Sequence, residues 1–156
     1  MTLISIDAAT KKTGVSLWKN KRYSTSYLLD CSSINDTDER IANMCKQLWK
    51  LLNDNKPDVV YIEDTYCGNN PAVQTMLNRI QGVVYAWCLT KNKKFCIIKP
   101  SQWRKYISGF PNGKGAKRQE LKDFSVSYVK KKYKIDCGDD IADSILIGEA
   151  ALAIEV

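Results

Sequence analysis

Four acids stand where the sequence could do chemistry. Asp7 closes the apolar run Ile4-Ser5-Ile6 and Glu63 closes Val59-Val60-Tyr61-Ile62. Each therefore falls at the carboxyl end of a strand-like segment, where α/β sheets open their binding crevice. Asp140 and Asp143 lie three apart at the head of a stretch that holds Ile145, Leu146, Ile147, Ala150, Ala151, Leu152 and Ile154. Three-residue spacing sets both acids on one face of a helix. Taken singly, each has an ordinary role: Asp139 or Asp140 as a helix N-cap, Asp7 as a turn former, Glu63 with Asp64 as a strand-end charge pair. Taken together, four carboxylates at strand ends and on an apolar helix favour a cluster for a hard cation. Magnesium held by carboxylate oxygens and water can activate a nucleophilic water and shield the leaving oxygen of a phosphodiester. A two-metal Mg²⁺ site is expected, with Mn²⁺ able to substitute.

The rest of the composition narrows the chemistry further. The 156 residues contain no histidine, which removes Ser-His and Cys-His nucleophiles, His-ligated zinc and imidazole bases at once. The six cysteines form no C-x-x-C pair and read as free, mostly buried thiols. Asp7 interrupts the apolar start and no basic flank precedes it, so a signal peptide is not expected. No apolar run reaches membrane-spanning length, and a reducing, cytoplasmic location without membrane attachment is expected. With 44% hydrophobic residues, the length suits one domain over residues 1–156. The formal charge is +7, and it is not evenly spread. Residues 91–134 hold 14 basic residues against two acids, Glu120 and Asp123, and that block is the candidate face for a polyanion such as DNA. Lys130, Lys131 and Lys132 alone read better as a solvated helix surface.

These acids need elements to carry them. Thr2 to Asp7, Gly14 to Trp18 and Tyr23 to Leu29 are β-rich runs separated by turn residues, which predicts a three-strand antiparallel meander. Asp36 offers an N-cap with Glu39 three residues on, and Ile41, Met44, Cys45, Leu48, Leu51 and Leu52 recur at helical spacing until Pro57. Val59 to Glu63 and Phe95 to Ile98 read as strands, with a helix opened by Asn70-Pro71 between them. Ser108 to Gly115 reads as a mobile loop, followed by helices from about Lys117 and from about Asp140. The expected fold class is α/β, a mixed five-stranded sheet of meander plus parallel strands, flanked by helices.

Several short motifs, in order, carry a resemblance over most of the chain. Ile4-Ser5-Ile6-Asp7 with Thr13-Gly14, Ile62-Glu63-Asp64-Thr65-Tyr66 followed by Asn70, Pro100-Ser101-Gln102-Trp103-Arg104-Lys105 with Gly109 through Lys117-Arg118-Gln119, and Asp140-Ile141-Ala142-Asp143-Ser144 together resemble the RuvC family of Holliday junction resolvases. The resemblance implies a ribonuclease H-like fold, a homodimer, and cutting of two opposed strands of a four-way DNA junction. By that likeness Asp7, Glu63, Asp140 and Asp143 are the metal ligands. Tyr66 corresponds to the aromatic that stacks in the opened junction, although a core tyrosine wants the same ring. Asn70 falls in the same DNA-side motif, and Arg104, Lys105, Lys114, Lys117 and Arg118 would hold phosphates. The helix from Pro71 to Trp87 would form the dimer surface, unless its apolar face only packs on the sheet. Ala8 and Ala9 stand where the family usually has Pro and Gly, so this turn cannot rely on a glycine φ.

Rival readings share some of these residues. A ribonuclease H-like nuclease of forks, flaps or RNA-DNA hybrids would use the same carboxylates. A non-catalytic junction-binding module would leave all four surplus. A kinase-like ATPase could use Asp7 to Gly14 as a phosphate loop but needs a second nucleotide-binding half, for which 156 residues leave no room.

Overall fold

The computed structural model describes residues 1–65, 68–111 and 115–156. Tyr66 and Lys114 lie outside the described residues. Strands β1 (Thr2–Asp7), β2 (Lys12–Lys19) and β3 (Arg22–Asp30) form the expected meander. Asn20 and Lys21 both adopt positive φ, 50° and 63°, in the two-residue link between β2 and β3, as a primed hairpin turn requires. Helix α1 (Thr37–Asn55) follows, capped by Asp36, whose carboxylate accepts from the Glu39 amide at 2.8 Å. Then come β4 (Val59–Glu63), α2 (Pro71–Thr90) and β5 (Lys94–Ile98). The sheet order is β3-β2-β1-β4-β5, with β1 parallel to β4 and β4 parallel to β5. The mixed five-stranded sheet expected from the sequence is thus the one observed.

Period-two alternation splits the core between the two faces of this sheet. Ile4, Ile6, Val60 and Ile62 pack with Ile41, Met44 and Leu48 of α1 and with Ile80, Val84 and Trp87 of α2. Leu3, Val59 and Tyr61 pack on the opposite face with Ile145, Leu146 and Ile147 of α5 (Asp139–Ile154). Helix α4 (Arg118–Tyr133) packs beside α5 and contributes Val129 to that second cluster.

A short helix α3 (Pro100–Trp103) and a 3₁₀ turn (Arg104–Tyr106) were not anticipated. Pro100 reads as a stop after β5, yet proline at a first helical position starts a helix equally well. The Ser108–Gly115 segment is also less loose than its glycines suggest in its described part. Ile107 and Phe110 are buried on either side of Gly109, whose φ of +74° makes the bend. Of the described helices, none is long and apolar enough to cross a membrane.

Candidate active site

Asp7 and Glu63 are neighbours because β1 and β4 run parallel with Ile6 beside Ile62. Alternation puts Leu3, Ser5 and Asp7 on the same sheet face as Val59, Tyr61 and Glu63, and α5 covers that face. How closely α5 can lie is set by glycine. Gly14 pairs with Asp7 across the β1-β2 ladder, and a Cβ there would fall 1.9 Å from the Asp140 carbonyl oxygen. Farther along the helix, a Cβ on Gly148 would fall 2.0 Å from Trp18 Nε1. Between these two close approaches, the buried hydroxyls of Ser5 and Ser16 touch each other and both donate to the Ser144 carbonyl, at 2.7 and 2.9 Å. Ser16 also accepts from Trp18 Nε1 at 2.9 Å, so removing its hydroxyl would leave that buried indole N–H without its partner.

Asp7, Glu63, Asp140 and Asp143 consequently line one cleft of about 550 Å³, together with Asp64, Asn70, Arg104, Arg118, Lys122 and Asp139. The β1-β2 turn that forms one wall uses no positive φ at Ala8 or Ala9. Instead, the Thr13 hydroxyl closes it, accepting from the Ala9 amide at 3.1 Å and donating to the Ala9 carbonyl at 3.0 Å. Neither Asp139 nor Asp140 caps α5; Gly138 holds the cap position without a side chain, which leaves both carboxylates to the cleft.

The acids pay electrostatically for their proximity. Burial, then the charges of Glu63, Asp143, Asp140 and Asp139, push the Asp7 carboxyl well above the usual carboxylate range. Burial pushes Glu63 up to about 7, against the opposing hydrogen bond from Trp103. Burial likewise pushes Asp143 up to about 6, against a hydrogen bond with Ser125 and the charge of Arg104. Asp140 is raised by burial and by Asp139. Asp139 itself goes the other way, because Lys122 Nζ sits 2.7 Å from its carboxylate.

These residues fit a hard divalent cation. The donors are carboxylate oxygens without imidazole or thiolate among the cleft residues, and a cation would offset both the burial and the repulsion that raise their pKa values. Among the described residues no three acids or thiols close around a single point. Magnesium does not demand that, since it commonly takes one or two carboxylates and keeps several waters.

A pH dependence of stability follows. Glu63 has a folded pKa of about 7 against an ordinary 4.5, so the folded state binds more protons than the unfolded state across that window. Stability therefore falls as pH rises through it. In chelator, Glu63→Gln should be more stable than the parent at pH 8 by on the order of 1–2 kcal/mol after discounting for solvent screening, with the gap closing near pH 4. Urea titrations at both pH values check this; a parent as stable at pH 8 as Glu63→Gln would refute it.

The expected phosphate-binding residues divide. Arg104 and Arg118 line the cleft, as does Asn70, whose side chain also caps α2 by accepting from the Val73 amide at 3.2 Å. Lys105 instead lines a separate recess with Tyr61, Cys96 and Tyr106, because successive residues of a 3₁₀ turn point about 120° apart. Lys117 is exposed at the cap position of α4 and is not among the cleft residues. Lys130 pairs with Asp136 at 3.1 Å and Lys132 with Glu149 at 2.6 Å, in line with a helix surface for that run. Sequence reasoning missed Lys122, one helical turn beyond Arg118, although i,i+4 spacing could have found it. It also missed Trp103, whose Nε1–H donates to Glu63 Oε2 at 2.7 Å.

The chain's likeness to known proteins agrees with this geometry. The family model described as crossover junction endodeoxyribonuclease RuvC matches residues 3–151. The chain belongs to the RuvC family. The match runs from β1 into α5 and takes in all four acids. A RuvC from Nitratidesulfovibrio vulgaris strain Hildenborough is 28% identical over 152 residues, covering 93% of this chain and 89% of its own. A RuvC from Alkaliphilus oremlandii is 22% identical over 111 residues, covering 71% and 65%. Among solved structures, Thermus thermophilus RuvC in complex with Holliday junction substrate superposes with a TM-score of 0.75 at 13% identity, over 99% of this chain and 96% of that one. The yeast mitochondrial Holliday junction resolvase Ydc2 gives 0.62 at 17% identity, over 96% and 77%. The fold is that of the RuvC nucleases, a ribonuclease H-like mixed sheet, and the family activity is that of a crossover junction endodeoxyribonuclease.

Proposed function

We propose that this RuvC-family chain resolves four-way DNA junctions by magnesium-dependent phosphodiester hydrolysis, with Asp7, Glu63, Asp140 and Asp143 as the metal ligands. The observation that carries the reading is the convergence of these four carboxylates in a cleft whose rim is cationic. Bound magnesium supplies a Lewis acid and an activated water, work that Mn²⁺ can also do. Arg104 and Arg118 bind the phosphates on either side of the cut, and Lys122 holds Asp139 away from the ions by pairing with it. Tyr66 and Lys114 join the DNA side of this reading by their sequence positions alone. The junction-bound T. thermophilus relative supports branched DNA as the substrate class.

Cutting two opposed strands calls for two clefts, hence a homodimer. The helix expected to form its surface turns its apolar face, Leu77, Ile80, Val84 and Trp87, inward, where it is buried inside this chain. Tyr85 and Leu89 are the large apolar residues that α2 leaves exposed, at 48% and 62%, and they are the proposed dimer contact.

The test is cleavage of a synthetic four-way junction, a fork, a plain duplex and an RNA-DNA hybrid, with and without magnesium, beside sedimentation of the protein. Paired nicks in the junction alone, dependent on magnesium, are expected. Equal cutting of fork or hybrid would move the substrate assignment, and binding without cutting would remove catalysis. Replacing Lys117 and Arg118 together by Ala should weaken binding to every DNA shape and flatten the salt dependence by roughly one unit for each phosphate no longer neutralised. Fluorescence anisotropy from about 50 to 200 mM salt measures this, and an unchanged slope would assign both residues to solvent.

A further inference from the structure

Trp103 reaches the cleft from behind. It closes α3, is completely buried, and is not itself among the cleft-lining residues, yet its indole N–H meets Glu63 Oε2 at 2.7 Å. The other indoles with hydrogen bonds among the described residues donate to uncharged oxygens, Trp18 to Ser16 and Trp87 to Asn53. Among these three, Trp103 alone engages an acid of the cleft.

Its ring is held from two sides. Phe110 meets it edge-on with centroids 5.3 Å apart, and the Arg104 guanidinium lies over it, 5.2 Å from the centroid. A ring so packed cannot turn its N–H away, so the bond fixes one oxygen of a carboxylate that would otherwise rotate. A neutral donor suits this task. It orients the carboxylate without neutralising it, as a lysine or arginine pairing there would, and leaves the full charge to a cation.

We propose that Trp103 is a positioning residue of the nuclease, holding Glu63 in the orientation that binds metal through a single indole hydrogen bond. This rests on the reading of Glu63 as a metal ligand. Trp103 touches neither ion nor DNA; its ring supports the Arg104 guanidinium, and its N–H acts only through that carboxylate.

The test removes the N–H and keeps the ring. Trp103→Phe removes the N–H but keeps only a six-membered ring in a buried site. Replacing Trp103 by benzothienylalanine does it isosterically, sulfur standing in for the N–H, and carries the test if the Phe protein fails to fold. Calorimetry of Mn²⁺ binding to the DNA-free protein should show affinity reduced about tenfold or more, the effect of losing an outer partner of a metal ligand. The magnesium concentration for half-maximal single-turnover cleavage should rise to match, while junction affinity in chelator stays within about twofold. A role confined to core packing would lower the melting temperature and leave metal affinity per folded molecule unmoved.

Glu63→Gln run in parallel separates the two readings. If it cuts at the parental rate, the ligand assignment fails and the positioning role with it. If Glu63→Gln is inactive and the benzothienylalanine protein binds Mn²⁺ and cuts within about twofold of the parent, the positioning role alone is overturned.

Discussion

Asp7→Asn, Glu63→Gln, Asp140→Asn and Asp143→Asn should each cut a four-way junction about a thousandfold more slowly than the parent, or worse, while binding it at least as tightly. The rate loss corresponds to roughly 4 kcal/mol of barrier, a reasonable consequence of misplacing an ion that both activates water and stabilises the leaving oxygen. Binding moves the other way, because each amide removes a negative charge from a cleft that must accept phosphates. Isosteric amides also remove the cost of burying a charge, and with it the mutual repulsion, that raises Asp7, Glu63 and Asp143, so none of the four should lose stability in chelator. Single-turnover cleavage and gel-shift titration on the same preparations give both quantities. Parental cleavage in two or more of these variants would remove the metal-site reading.

Gly14→Ala should be the most damaging single methyl in the molecule. The added Cβ would overlap the Asp140 carbonyl oxygen at 1.9 Å, with the carbonyl carbon at 2.4 Å behind it, and neither belongs to a side chain that could swing aside. The start of α5 must lift, at a cost of about 3 kcal/mol or more for overpacking of this severity. That predicts a melting temperature lower by roughly 6–12 °C. Lifting the helix also parts Asp140 from Asp7, so cleavage should fall further than stability accounts for. Gly82→Ala is the control, since a Cβ there meets nothing within 4 Å on the exposed side of α2. It should stabilise by roughly 0.5–1 kcal/mol. Thermal melts of the two proteins decide the matter, and a Gly14→Ala protein with parental stability and cleavage would show that α5 is not seated as described.

The meander, the two parallel strands and the main helices are legible in the residues alone, because their apolar periods are clean and their boundaries carry Asp36, Pro57 and Asn70-Pro71. The convergence of Asp7 with Glu63 is legible for the same reason: parallel strands end at the same edge of a sheet. What could not be read depends on rotation and distance. Arg104 and Lys105 are adjacent in sequence, and only the turn that carries them sends one into the cleft and the other to a different recess. Trp103 looks like any core aromatic until its N–H is seen to face Glu63. Gly14 belongs to a recognisable motif, yet its reason is a helix carbonyl that arrives from 126 positions later in the chain.

That late arrival has a consequence for biosynthesis. Two of the four carboxylates lie on α5, and α5 is pinned to β1 and β2, which are made first. At about 5–20 residues per second, roughly 4–16 s separate the translation of Glu63 from that of Asp143. In the later part of that interval, once α2 and β5 have been made, a nascent chain can pair its strands and fill the face covered by α1 and α2, but it holds only half of its acids. A ribosome stalled after the basic stretch 91–134 and before α5 emerges would therefore release a fragment able to expose a basic surface and, on the four-carboxylate reading of the site, unable to cut, so the order of synthesis itself withholds nuclease activity from such incomplete copies.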